Sequence, residues 1–213
     1  RGVLHDISFH LRRGEILGVA GLLGAGRTEL ARALFGADRS DGGRVTVKGR
    51  IAMVRSPAEG IARGLGLLPE DRKAHGLVLG LTVKANIALT SSRRLSRFGL
   101  VDEGRETELS QRFVDELRIK TPGLEQLTGA LSGGNQQKIV LGKWLAASVD
   151  VLIMDEPTRG IDVAAKVEIY ELMNRLTAGG AAILMISSEL PEILGMSDRI
   201  LVMRAGRIVS EFT

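Results

Sequence analysis

An α/β fold built on a parallel sheet is predicted by three features of this chain. Runs rich in Val, Ile and Leu alternate with helix-periodic ones, two of those runs carry no polar face, and a glycine-dense turn joins the first of them to a helix. The alternating pairs are Glu15 to Ala20 then Arg27 to Phe35, Val149 to Met154 then Val163 to Leu176, and Ala181 to Ile186 then Leu190 to Leu194. Strand followed by helix, repeated, is the pattern of parallel strands joined by crossovers. Ile16-Leu17-Gly18-Val19-Ala20 and Val151-Leu152-Ile153-Met154 are apolar throughout, as a sheet covered by helices on both faces requires.

The pattern changes toward both ends. Ile200-Leu201-Val202-Met203 and Arg207-Ile208-Val209 read as a β-hairpin around a three-residue turn, Arg204-Ala205-Gly206. Val45-Thr46-Val47 reads as a short strand pairing with an early strand. Between about Thr82 and Ala147 strand character fades, and apolar residues recur at helical spacing, as at Leu109, Phe113 and Leu117 or Ile139, Val140 and Trp144. The expected layout is one domain over 1–213, with a core over about 1–80 and 148–213 and an inserted helical subdomain over about 81–147. Within it, the polar and basic run Ser91 to Arg97 reads as a solvated loop.

Composition narrows the function. The chain has 213 residues, enough to bury a substantial core, and 44% apolar with 25% charged residues is a globular mixture that excludes general disorder. Cysteine is absent, which removes disulfides, thiol nucleophiles and Cys-ligated metal centres. The net charge is 29 − 25 = +4 with Lys and Arg scattered, so no nucleic-acid partner is expected. No apolar run approaches the roughly 18–20 residues that span a bilayer, so a membrane connection would run through a partner. The chain opens on Arg1 rather than Met and reads as a piece of a longer polypeptide.

Three stretches carry chemistry. Gly21-Leu22-Leu23-Gly24-Ala25-Gly26-Arg27-Thr28 leaves an apolar strand and opens a helix, so its glycines let backbone N–H groups converge on an anion at a positive helix end. Thr28 is placed to hold Mg²⁺, and Arg27 stands where the phosphate-loop pattern has Lys. The plainer alternative is a glycine-rich strand-to-helix turn with a surface arginine.

In the second stretch, the apolar strand Val151 to Met154 ends in Asp155-Glu156, at the strand end where open α/β sheets place ligands. Asp155 would bind Mg²⁺, and Glu156 would orient or deprotonate an attacking water. Two such acids also cap helices. The third, Leu131-Ser132-Gly133-Gly134-Asn135-Gln136-Gln137-Lys138, places a serine and two glycines before a helix with no preceding strand. It reads either as a second anion-ready helix end or as an ordinary Ser N-cap.

In order and approximate spacing, Gly21 to Thr28, Leu131-Ser132-Gly133-Gly134, Val151 to Glu156 and Gly160-Ile161-Asp162 resemble the ATP-binding cassette of ABC transporters. The wording Gly-Ala-Gly-Arg-Thr-Glu-Leu, Leu-Pro-Glu-Asp-Arg-Lys at 68–73, Leu-Ser-Gly-Gly-Asn-Gln-Gln-Lys and Asp-Glu-Pro-Thr-Arg-Gly-Ile-Asp-Val is similar to the second of two fused cassettes in bacterial monosaccharide importers of the ribose, galactose and xylose type. The resemblance implies a P-loop NTPase core with a parallel sheet, an N-terminal antiparallel β portion and an inserted helical subdomain, with ATP and Mg²⁺ as cofactors. Gly21, Gly24, Ala25, Gly26, Arg27 and Thr28 would hold this cassette's own nucleotide. Ser132, Gly133, Gly134 and Gln136 would serve the nucleotide of a second cassette. Thr28, Asp155 and Glu70 form the implied metal set, and Glu156 and Ser188 the implied catalytic pair.

The implied partners are a fused second cassette, transmembrane permease subunits and a periplasmic sugar-binding protein. The implied location is peripheral, on the cytoplasmic face of the inner membrane. Three positions depart from the family pattern: Arg27 for the phosphate lysine, Glu70 for a glutamine and Ser188 for the switch histidine. They predict a phosphate-loop site that binds nucleotide but hydrolyses it poorly.

The rival readings are a catalytically weak regulatory nucleotide-binding cassette and a non-transport ABC-type ATPase. A DNA-repair or chromosome-organising ATPase separates its nucleotide motifs with a long heptad coiled coil, which Thr82 to Ala130 lacks. His5, His10 and His75 have no metal-ligand spacing, and Trp144 and the methionines read as core.

Overall fold

Ile16–Gly21 forms β1 in a computed structural model that describes residues 3–97 and 99–213. Arg1, Gly2 and Phe98, which fall within the expected core and insertion, lie outside the described residues. After β1 come α1 (Arg27–Phe35), β2 (Val45–Val47), β3 (Arg50–Ala52), α2 (Pro57–Ala62), β4 (Leu65–Leu68) and a wide five-residue π turn, Arg72–Gly76. The middle of the chain supplies α3 (Val83–Ala88), α4 (Ser92–Leu95), β5 (Ser96–Arg97), β6 (Leu100–Val101), α5 (Glu103–Glu116) and α6 (Gly133–Ala146). The rest alternates again: β7 (Val151–Asp155), α7 (Val163–Ala178), β8 (Ala182–Ile186), α8 (Leu190–Met196), β9 (Arg199–Arg204) and β10 (Arg207–Phe212).

Two compact units emerge. One comprises residues up to Glu70 with Val149–Pro157 and Met173–Thr213; the other comprises Asp71–Ser148 with Thr158–Leu172. The first holds a six-stranded sheet in the order β10-β9-β1-β8-β7-β4, parallel throughout except for the antiparallel edge pair β10/β9. Every residue of β4 and β8 is buried, which explains their continuous apolar runs. β9 alternates buried and half-buried residues and its neighbour β10 is an exposed edge.

Val45–Val47 pairs with the early strand β3, through a two-residue turn in which Lys48 (φ 52°) and Gly49 (φ 72°) are both left-handed. The β9–β10 turn likewise contains only Ala205 (φ 47°) and Gly206 (φ 72°), and Arg204 stays in its strand. This backbone twist matches the twist of the flanking strands, so it wins although Lys and Ala seldom adopt it.

In the second unit, α3, α5 and α6 bury Val83, Ile87, Phe113, Leu117, Ile139, Val140 and Trp144. Asn86 is fully buried at its hub: its Oδ1 accepts from Val78 N (2.9 Å), and its Nδ2 faces the carbonyls of Val78, Leu81 and Thr82 and the Thr128 hydroxyl. Helix α6 is buried nearly all round, so its two interior lysines need polar partners. Lys138 Nζ meets the Glu168 carboxylate (2.6 Å) and Arg118 O (3.0 Å), while Lys143 Nζ donates to Gly76 O (2.5 Å). Burial lowers the Lys143 ammonium to about 8.

Ser91 to Arg97 is not the expected loop. Thr90 Oγ1 donates to Lys143 O (2.8 Å), Arg94 Nη2 donates to Ala146 O (2.5 Å), and Leu95 is buried, so contacts with the end of α6 fold this polar run into a helical turn and a strand.

One buried ionic knot closes the first unit. Arg199, at the start of β9, is 2% exposed and donates to Glu15 Oε1 (2.8 Å), Glu211 Oε1 (2.6 Å) and His10 O (2.5 Å). Burial alone would raise the Glu15 carboxyl, but bonds from Arg199 and from the Arg12 amide leave it below its usual value of 4.5. Arg199→Met strands Glu15 and should lower the unfolding free energy by about 3–5 kcal/mol at pH 7 in urea titrations. Because the folded Glu15 value is depressed, its contribution is in place above about pH 4.5 and is lost as pH falls through the folded value, so the deficit of the Met variant should narrow in acid.

Candidate functional site

The turn after β1 is held open by two left-handed glycines, Gly24 (φ 79°) and Gly26 (φ 98°). Ala25 N donates to Leu22 O (3.0 Å), and Ala25 O accepts from Gly206 N (2.9 Å), which pins the loop to the β9–β10 turn. Gly21 closes β1, and Leu22 and Leu23 stand out at the crest of the loop, 85% and 100% exposed. Gly26 caps α1 without a side chain, so first-turn N–H groups have no side-chain oxygen to satisfy them. A Cβ placed on Gly24 would meet nothing within 4 Å, so the loop is open on that side.

Thr28, in the first turn of α1, hydrogen-bonds the Asp155 carboxylate at the end of β7. Asp155 is 2% exposed. Burial pushes its carboxyl up to about 6; the Thr28 bond opposes the rise and the adjacent Glu156 charge adds to it. Its Oδ1 is buried without a hydrogen-bond partner. A desolvated carboxylate oxygen with spare lone pairs beside a hydroxyl is a hard-oxygen donor set that suits Mg²⁺. Among the described residues no three His, Asp or Glu side chains gather in one metal-holding cluster, so such an ion would complete its shell from phosphate and water.

Glu156 follows in a left-handed conformation, φ 51°, unusual for a residue with a side chain. Its amide donates to Ile186 O (2.8 Å) on the neighbouring strand, which holds that geometry. Ser188 Oγ donates to Glu156 Oε2 (3.1 Å), and Arg27 Nη2 lies 3.8 Å from Oε1. Arg27 is 8% exposed and Nη1 donates to Ser187 O (2.5 Å). Its guanidinium is therefore committed across the ends of β7 and β8.

The sheet unit thus gathers Arg27, Thr28, Asp155, Glu156 and Ser188. Glu70 lies two residues beyond β4, whose Leu68 is in register with Met154 of β7. Ser187 escaped the sequence reading, because its carbonyl receives Arg27 and a carbonyl leaves no mark in residue type.

In the helical unit Ser132 occupies the N-cap position of α6, yet its hydroxyl makes no cap bond; it accepts from Asn135 Nδ2 (3.0 Å). The first-turn N–H groups of α6 therefore lack their usual side-chain acceptor, unlike those of an ordinary Ser-capped helix. Gly134 lets α6 approach α7, since a Cβ there would lie 2.7 Å from that of Ala165. Gln136 is 3% exposed, and its Nε2 faces Thr128 O and Leu131 O (3.2 Å each), so it fixes the turn leading into Ser132 from the interior.

The ABC transporter family model matches residues 4–159. The chain belongs to the ABC transporter family. This ABC transporter chain is 60% identical over 212 residues to ribose import ATP-binding protein RbsA 1 of Rubrobacter xylanophilus, covering 99% of the chain and 42% of that protein. It is 55% identical over 212 residues to RbsA 2 of Streptomyces coelicolor, covering 100% of the chain and 41% of that protein. The chain spans about two fifths of the length of these relatives. A nucleotide-free ATP-binding cassette from an ABC transporter superposes with a TM-score of 0.85 over 98% of the chain and 84% of that structure; at 22% identity the likeness concerns the fold. Among the described residues of this ABC transporter chain, no helix is long and apolar enough to cross a membrane.

Asp155 makes a testable statement about stability. Its folded value of about 6 lies above the ordinary 3.8, so the ionised carboxylate penalises the folded state above about pH 6 and the penalty disappears as pH falls toward 4. Asp155→Asn should raise the unfolding free energy at pH 7.5 by about 2–3 kcal/mol and remove this acid-linked gain, as read from urea titrations across pH 4–8.

Proposed function

We propose that this chain is an ATP-binding cassette that energises import of a monosaccharide across a bacterial inner membrane. Ribose import, the function for which its 55–60% identical relatives are named, supports the substrate class. Both compact units belong to one cassette, with a core over about 1–80 and 148–213 and a helical subdomain over about 81–147. It sits peripherally on the cytoplasmic face and works with a fused second cassette, permease subunits and a periplasmic sugar-binding protein.

In this reading Gly21, Gly24, Ala25, Gly26 and Thr28 hold the triphosphate of the chain's own ATP, and Thr28 and Asp155, with Glu70 near them, hold Mg²⁺. When bound, the ion neutralises phosphate charge. Ser132, Gly133 and the α6 N-terminus accept the γ-phosphate of ATP bound to the partner cassette, with Gln136 setting their turn. Closure on that shared anion moves the permease.

The observation that carries the asymmetry is the engagement of Glu156. A general base must turn its carboxylate to water, but Oε2 here accepts from the Ser188 hydroxyl and Oε1 faces the Arg27 guanidinium at 3.8 Å, a cation that disfavours proton uptake. The arginine that would neutralise phosphate is spent on the same carboxylate and on Ser187 O. The site on this phosphate loop therefore binds nucleotide and hydrolyses it poorly, while the site completed by Ser132 is productive.

Steady-state ATP turnover of the full-length two-cassette protein tests this. Glu156→Gln should leave turnover within about twofold, and Ser132→Arg should lower it by about 100-fold or more. Complete loss with Glu156→Gln would overturn the asymmetry, and unchanged turnover with Ser132→Arg would overturn the partner role of the α6 N-terminus.

A further inference from the structure

Arg72 has no part in the site described above, yet three pieces of chain converge on it. Its Nη1 donates to Arg159 O (2.9 Å) and its Nη2 to Gly160 O (3.2 Å), so one planar fork grips two consecutive carbonyls. The same guanidinium lies against the first residue of α6. A Cβ on Gly133 would come within 2.6 Å of Nη2 and 2.9 Å of Gly160 O; the arginine end could shift, but the main-chain oxygen it grips could not, so that carbonyl demands glycine here.

The contact is braced from behind. Arg72 opens the π turn Arg72–Gly76, whose start is capped by Asp71 Oδ1 accepting from Lys73 N (2.9 Å) and Ala74 N (3.1 Å). The far end of that turn is tied to α6 by the buried Lys143 ammonium on Gly76 O. A wide π turn of this kind is uncommon and clusters at functional sites. The gripped loop continues to Asp162, which caps α7 by accepting from Ala165 N (2.9 Å), the residue that Gly134 abuts.

The guanidinium is also costly. Its Nε is buried without a hydrogen-bond partner, and burial pulls its pKa down against the opposing charge of Asp71. A packing role alone would be met by an uncharged side chain. A fork held among carbonyls beside an N-terminus lacking its side-chain cap supplies both an aligned loop and positive potential where an anion is to land.

We propose that Arg72 is a positioning residue for the partner cassette's nucleotide, locking Arg159 and Gly160 against Gly133 so that Ser132 and the first turn of α6 are offered to phosphate in one orientation. This rests on the reading that Ser132 serves that nucleotide.

The test uses the full-length protein assembled with its membrane subunits, with ATP as the probe. Arg72→Gln and Arg72→Lys should each lower kcat at least about tenfold, with KM for ATP and equilibrium ATP binding within about twofold, because only the closed state needs the aligned turn. Gly133→Ala, which presses on the same fork, should lower kcat similarly, and should cost less than about threefold more in the Arg72→Gln background, since coupled sites are not additive. Full rescue by Lys would make charge alone sufficient and overturn the role of the fork. A kcat within twofold of wild type in Arg72→Gln, a KM rise matching the kcat loss, or additive effects with Gly133→Ala would overturn the proposal. Ser132→Arg separates the two levels: if it abolishes turnover while Arg72→Gln does not, only the role of Arg72 fails, and if it leaves turnover intact, the underlying reading fails with it.

Discussion

Parallel strand pairing puts the C-terminal ends of β1, β4, β7 and β8 on one edge of the sheet, and the candidate site depends on that constraint. Val19 and Asp155 both lie in register with Ile186, so the turn beginning at Gly21, the carboxylates after β7 and the serines after β8 emerge side by side. An antiparallel sheet would have sent alternate ends to opposite edges. Asp155 ends β7, and Glu156, Ser188 and Glu70 sit one or two residues beyond buried apolar strands whose register cannot slip without carrying a whole hydrophobic set out of place.

What this edge gathers is held against the preference of its parts. Asp155 is buried with an unsatisfied oxygen, and Glu156 is left-handed. The Arg199 knot differs, because each of its buried charges has an opposite partner at hydrogen-bond distance. Unpaired burial and backbone strain weaken a fold and persist where the surrounding structure over-determines them. In this chain the β7–β8 ladder does so through the Glu156 amide on Ile186 O.

The strands and the glycine turn were legible because burial on both faces, and the need for an open anion cradle, leave marks in residue type. The β9–β10 turn was drawn one residue too long because Ala205 adopts a left-handed backbone that the residue does not advertise. Ser91 to Arg97 was misread for another reason: Arg94 within it, and Thr90 just before it, donate to carbonyls of α6 that come near only through tertiary folding. Arg72 and Ser187 were missed because both act through main-chain carbonyls, which every residue carries alike.

The two helix starts complete the physical picture. A capping hydroxyl or carboxylate would satisfy first-turn N–H groups and cancel part of the positive end of the helix. At α1 the cap is a left-handed glycine with no side chain to fold over, and at α6 the Ser132 hydroxyl is turned to Asn135. Both ends forgo a stabilising contact typically worth about 1 kcal/mol. An anion can recover it at either end. At α1, however, the nearby guanidinium faces the Glu156 carboxylate and donates to Ser187 O, whereas at α6 the fork of Arg72 donates to two neutral carbonyls, with Asp71 as its opposing charge. The two helix ends therefore differ in the charges beside them as well as in backbone geometry.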